Sequence, residues 1–211
     1  MKNNFRIGAW GAFARALFNI GQFFVVALSL QFIPESAQYD PTVLGENPVL
    51  FYVQFLIMAG MAIGLLLAVR VLYDLMKSGA PHLMWLSLAT AVICAVGLFM
   101  AGANFVAKVD SLYLIESYSL EQQSFALHIL DMLAVLIGHV MVSTQALSTL
   151  FWAAAGWRTA LLPRSLAGTG IAVGLIALLF EFTPMNLIGF LIQMPLFIWL
   201  GVVLWRKANI E

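Results

Sequence analysis

Three titratable side chains fall in one short run, HILDMLAVLIGH at residues 128–139. At about 100° per residue, a helix sets His128, Asp131 and His139 in one stripe. Imidazole and carboxylate groups bind divalent metals and serve as acids and bases in proton transfer. Glu181, farther along the chain, is the carboxylate expected to face them. His128, Asp131 and Glu181 are therefore the candidate metal ligands. His128 and His139 are about 16 Å apart along a straight helix, so one ion reaches both only if the helix breaks. The chain has no HExxH element, the usual signature of a helical zinc site.

The background against which these groups stand is apolar. The chain has 211 residues, 63% hydrophobic and 9% charged, with a mean hydropathy of +0.97. Soluble domains carry about 25% charged residues, whereas apolar runs of about 20 residues span bilayers. The composition is that of an integral membrane protein. A single cysteine, Cys94, excludes an internal disulfide and reads as a small packing residue. No cofactor is expected. Haem is disfavoured because the chain has 3 histidines, with His82 and His139 at different depths. A dinucleotide is disfavoured because Gly168-x-Gly170 sits in an apolar helix with no following lysine. No nucleic-acid partner is expected.

Six apolar segments must position the titratable groups: about 10–32, 49–72, 82–106, 120–156, 164–182 and 184–205. The fold class is an all-α membrane protein, one domain built as a six-transmembrane-helix bundle. Asn47 before Pro48 and Thr183 before Pro184 are polar caps followed by proline at the first helical position, and Ser119 with Gln122 fits a capping box. The fourth segment is longer than the hydrocarbon requires and must tilt, kink near Gly138 or project. The basic start, MKNNFRIGAW, is read as the beginning of a retained first helix.

Lysine and arginine collect on the cytoplasmic side of membrane proteins. Of the 10 basic residues, Lys2, Arg6, Arg15, Arg70, Lys77, Arg158, Arg164, Arg206 and Lys207 fall at one set of segment ends, leaving Lys108 at the other. This partition predicts that both termini are cytoplasmic. It also places His128 and Asp131 at the outer interface, with His139 inside the membrane. Ionisable groups at that depth usually face a bundle interior.

The first segment carries a second polar stripe. Gly8, Gly11, Arg15, Asn19, Gln22 and Ser29 share one face at helical spacing, as in a helix lining a polar interior. On that reading Phe13, Phe24 and Val25 turn toward lipid. The alternative has Arg15 snorkelling to the inner surface. Asn186 and Gln193 open the last segment and complete the candidate pocket, in which Pro195 frees backbone carbonyls or makes an ordinary kink. Arg70 and Asp74, at i and i+4, read as a solvated pair.

The stretches LPRSLAGTGIAVG (162–174) and QMPLFIWLGVVLWRKA (193–208) resemble an uncharacterised bacterial family of six-helix membrane proteins, known only as domain of unknown function 4386. That resemblance implies a bacterial inner (plasma) membrane setting and supplies no reaction or ligand. The residues themselves favour a small polytopic protein with an outward-facing polar pocket that binds or conducts a small solute, ion or proton. His139 is the protonatable group at depth, with Asp131, His128 and Glu181 near the mouth. Two other readings stand beside this one: a non-catalytic subunit of a larger membrane complex or homo-oligomer, and a membrane-embedded enzyme using the histidine and carboxylate groups. In every case the lipid bilayer is the first partner.

Overall fold

A computed structural model describes residues 2–32, 48–114, 118–181 and 191–210. The described chain is all-helical, with six helices: α1 (Lys2–Phe32), α2 (Pro48–Met76), α3 (Pro81–Leu114), α4 (Leu120–Thr159), α5 (Arg164–Glu181) and α6 (Gln193–Ile210). The first begins at Lys2, not near residue 10, because helix continues through the polar run that hydropathy alone does not count. Asn186 and Thr183 lie outside the described residues.

Local signals account for several helix ends. Proline opens both α2 and α3, where its missing N–H costs nothing. At the start of α4 the Gln122 backbone N–H donates to Ser119 Oγ at 3.3 Å, and the Ser119 backbone N–H donates to Gln122 Oε1 at 3.0 Å. Two orphan donors are thus satisfied reciprocally. At its other end Ala160 takes a left-handed conformation, φ 53°, and its N–H donates to the Trp157 carbonyl.

Each helix runs antiparallel to its sequence neighbour, and the last packs on the first. α6 lies along α1 and touches α5 only marginally. The chain order in space is therefore α5, α4, α3, α2, α1, α6. Gly201 of α6 faces Phe13 of α1, and Leu204 faces Gly8. This antiparallel register brings both termini to one end of the bundle, here called the terminal end.

The tightest approach is between α1 and α2. A Cβ added at Gly64 would lie 2.6 Å from the Arg15 backbone nitrogen, and one at Gly11 would lie 2.7 Å from the Ala68 nitrogen. Only glycine lets the two backbones meet there. The core beside this contact is Met61, Leu65, Ala68 and Leu72 with Ala12, Ala16 and Leu200.

Five helices, α1 to α5, are long and apolar enough to cross a membrane. Their outward faces are apolar: Leu17, Phe24, Leu56, Ile63, Val96, Leu136 and Leu179 are exposed. Trp10, Trp85, Trp157 and Trp205 are also exposed, all toward the terminal end. Tryptophans gather at that level where a bundle meets the headgroups of a bilayer. The molecule is a helical bundle of the membrane type.

Candidate functional site

The polar face of α1 turns into the bundle. Arg15 and Asn19 are both 0% exposed, and Gly8 and Gly11 are buried with them. Gln22 is half-buried and Phe24 is exposed. Val25 differs from expectation: it is buried in the core cluster that contains Ile57, because its side of α1 is covered by α2. Arg15 does not snorkel. Its Nη2 donates to Gln145 Oε1 on α4.

From Gln145 the contacts continue across the bundle. Gln145 Nε2 donates to Gln193 Oε1 at 2.9 Å, and Thr149 Oγ1 donates to the same oxygen at 3.3 Å. Cys94 Sγ on α3 lies 3.9 Å from Gln145 Oε1. α1, α3, α4 and α6 thus converge on one polar layer whose members, Arg15, Cys94, Gln145, Thr149 and Gln193, are all buried. Nearer the terminal end, Ser148 Oγ donates to the Ser87 carbonyl at 2.9 Å, and the two hydroxyls are 3.2 Å apart. This second contact joins α3 to α4.

Gln145, Ser148 and Thr149 had no place in the sequence-based site. A signal for them exists: Gln145, Ser148, Thr149 and Trp152 recur at i, i+3, i+4 and i+7, one face of α4. All four are buried. The titratable run at 128–139 occupies a different part of the same helix.

That run is distributed among three separate environments. His128 is exposed, and its Nδ1 lies 3.0 Å from the Ser124 carbonyl one turn earlier. Asp131 forms an ion pair with Lys108 of α3 at 2.9 Å. His139 Nδ1 contacts Glu181 Oε1 of α5 at 2.8 Å, joining a half-buried imidazole to a carboxylate that is 1% exposed. Glu181 thus meets His139 rather than His128 and Asp131. Among the described residues no group of three histidine, cysteine or acidic side chains converges as metal ligands would. The helix passes Gly138 without interruption. Its 40 residues extend roughly 60 Å at about 1.5 Å per residue, twice the hydrocarbon thickness of about 30 Å. That length is why one stripe meets three different neighbours.

The two polar levels differ in depth. At about 1.5 Å per residue, Arg15 lies roughly 7 Å beyond Trp10 along α1, and His139 roughly 27 Å beyond Trp157 along α4. Gln145, the layer's member on α4, lies roughly 18 Å beyond Trp157, so the Arg15 layer is inside the bundle and the His139 and Glu181 pair is about 9 Å farther from the terminal end along α4. Arg70 and Lys77 pair with Asp74 at 3.2 and 3.0 Å on the exposed part of α2, as a solvated cluster.

Comparison with protein-family models, with curated proteins and with solved structures gave no match. The class of the molecule is accordingly read from its own architecture, and its task from the polar layer.

Proposed function

We propose that this chain is a multi-pass protein of a bacterial inner membrane, with both termini cytoplasmic, that binds a small polar solute within its bundle and passes it between the two polar levels. The observation that carries this reading is the hydrogen-bonded layer of Arg15, Gln145, Thr149 and Gln193, contributed by three helices and buried in an apolar protein. Burying such groups is costly unless they are bonded, and in membrane proteins they concentrate along solute pathways. The His139 and Glu181 pair stands at the other level as a group that can take up or release a proton. The bacterial setting follows from the resemblance of 162–174 and 193–208, and the orientation from the partition of basic residues.

The test is thermal unfolding of the purified full chain against a panel of small carboxylates, amines, amides, sugars and metal cations. At least one class should raise the unfolding temperature of the wild type and leave Gln145→Leu and Gln193→Leu unmoved. The reading fails if no class shifts the wild type and both leucine variants unfold at or above its temperature.

A role as a subunit or homo-oligomer is favoured by a separate feature. The half of α4 nearer its start exposes Phe125, Ile129, Met132, Leu133, Val135 and Leu136. That stripe fits a partner helix as well as lipid. Cross-linking from Met132→Cys in native membranes should capture a protein if this second reading holds, and only lipid if it does not.

A further inference from the structure

We infer that the solute held in the Arg15 layer carries a carboxylate, which Arg15 and Asn19 grip together. This rests on the solute-binding reading above and adds the charge and shape of the ligand. Arg15 keeps its positive charge in all ordinary conditions, and its planar fork matches the two oxygens of a carboxylate. The fork sits in a wholly buried position, where a fixed positive charge attracts anions and repels cations far more strongly than it would in water. Its donation to Gln145 goes to a neutral amide oxygen.

Asn19 supplies the independent observation. It follows Arg15 by one helical turn on the same inward face and is 0% exposed. Neither its amide nitrogen nor its amide oxygen makes a hydrogen bond among the described residues. A buried amide left in that state is costly, and a ligand oxygen beside the guanidinium would satisfy its N–H. One further turn along, Gln22 Oε1 is likewise buried and unbonded among the described residues. Thus α1 presents a charge followed by amide groups with unused bonding capacity, in a line leading from Arg15 toward the far end of the bundle. One fixed positive charge and short amide arms suit a small monocarboxylate.

Titration calorimetry on the full chain in nanodiscs tests this with acetate, its neutral isostere acetamide, and methylammonium. Acetate should bind, and the other two should not. Arg15→Gln should weaken acetate by about tenfold or more, the loss expected when a charged hydrogen bond is removed. Asn19→Leu changes no charge and should also weaken acetate, which keeps the test valid if Arg15→Gln fails to fold. Acetamide or methylammonium binding as well as acetate, with Arg15→Gln retaining it, would overturn the carboxylate and leave solute binding intact. Absence of acetate binding to the wild type would also overturn it. Solute binding itself falls only if the wider panel is silent as well.

Discussion

The Nδ1 of His139 lies 2.8 Å from Oε1 of Glu181, tying the middle of α4 to the last residue of α5. The second carboxylate oxygen, Glu181 Oε2, is buried without a hydrogen bond among the described residues. Replacing His139 by leucine therefore strips a buried carboxyl of its imidazole and should lower unfolding stability by about 1–3 kcal/mol. Replacing both residues by leucine should recover much of that loss, because an apolar pair needs no bond. His128→Gln, at an exposed position, should stay within about 0.5 kcal/mol of wild type. Equal losses for the two histidines in detergent unfolding would refute the separation of the run into independent contacts.

Glycines in this bundle divide by what they touch. Gly64→Val would drive a side chain into the Arg15 backbone, where the added Cβ alone comes within 2.6 Å. We expect a loss of about 1–3 kcal/mol from overpacking, together with weaker solute binding as Arg15 shifts. Gly138, inside α4, has nothing within 4 Å of an added Cβ. Gly138→Ala should stabilise by about 0.5–1 kcal/mol, the helix preference of alanine over glycine. The same unfolding measurement reads both, and a shared sign would contradict the described packing of α1 on α2.

Ala160 ends α4 at φ 53°, a left-handed conformation that disfavours a Cβ. Ala160→Gly should raise stability by about 0.5–1 kcal/mol, offset in part by the greater freedom of glycine in the unfolded chain. A fall in unfolding temperature would mean that the turn before α5 is not held as described.

Orientation is checked by labelling intact cells with a membrane-impermeant thiol reagent in a Cys94→Ser background. Ser36→Cys should react from outside and Ser165→Cys should not. The opposite pattern would invert the proposed topology, and with it the side from which the Arg15 layer is approached.

Helix identity was readable because each signal is local. The box formed by Ser119 and Gln122 spans one turn, and its residue types alone define it. The inward face of α1 was also legible, since Arg15 and Asn19 recur at helical spacing and hydrocarbon tolerates neither. Tertiary partners were less accessible. Gln145 meets Gln193 across 48 residues of sequence, and nothing in an isolated glutamine announces that contact. The stripe of His128, Asp131 and His139 was visible as a stripe. Its division among Ser124, Lys108 and Glu181 depended on where two other helices end, which spacing within α4 does not encode.

The packing of α6 against α1 sets an order of events during synthesis. α1 has its glycine face ready for α2, which follows it directly, yet its other flank stays unfilled until α6 has been made. Gln193, which opens α6, then closes onto Gln145, so the bonds running from Arg15 across the bundle are completed only once α6 has been made. Until that moment a buried cation sits in a half-assembled protein. A chain stalled before α6 would expose that defect to the quality-control proteases of the membrane.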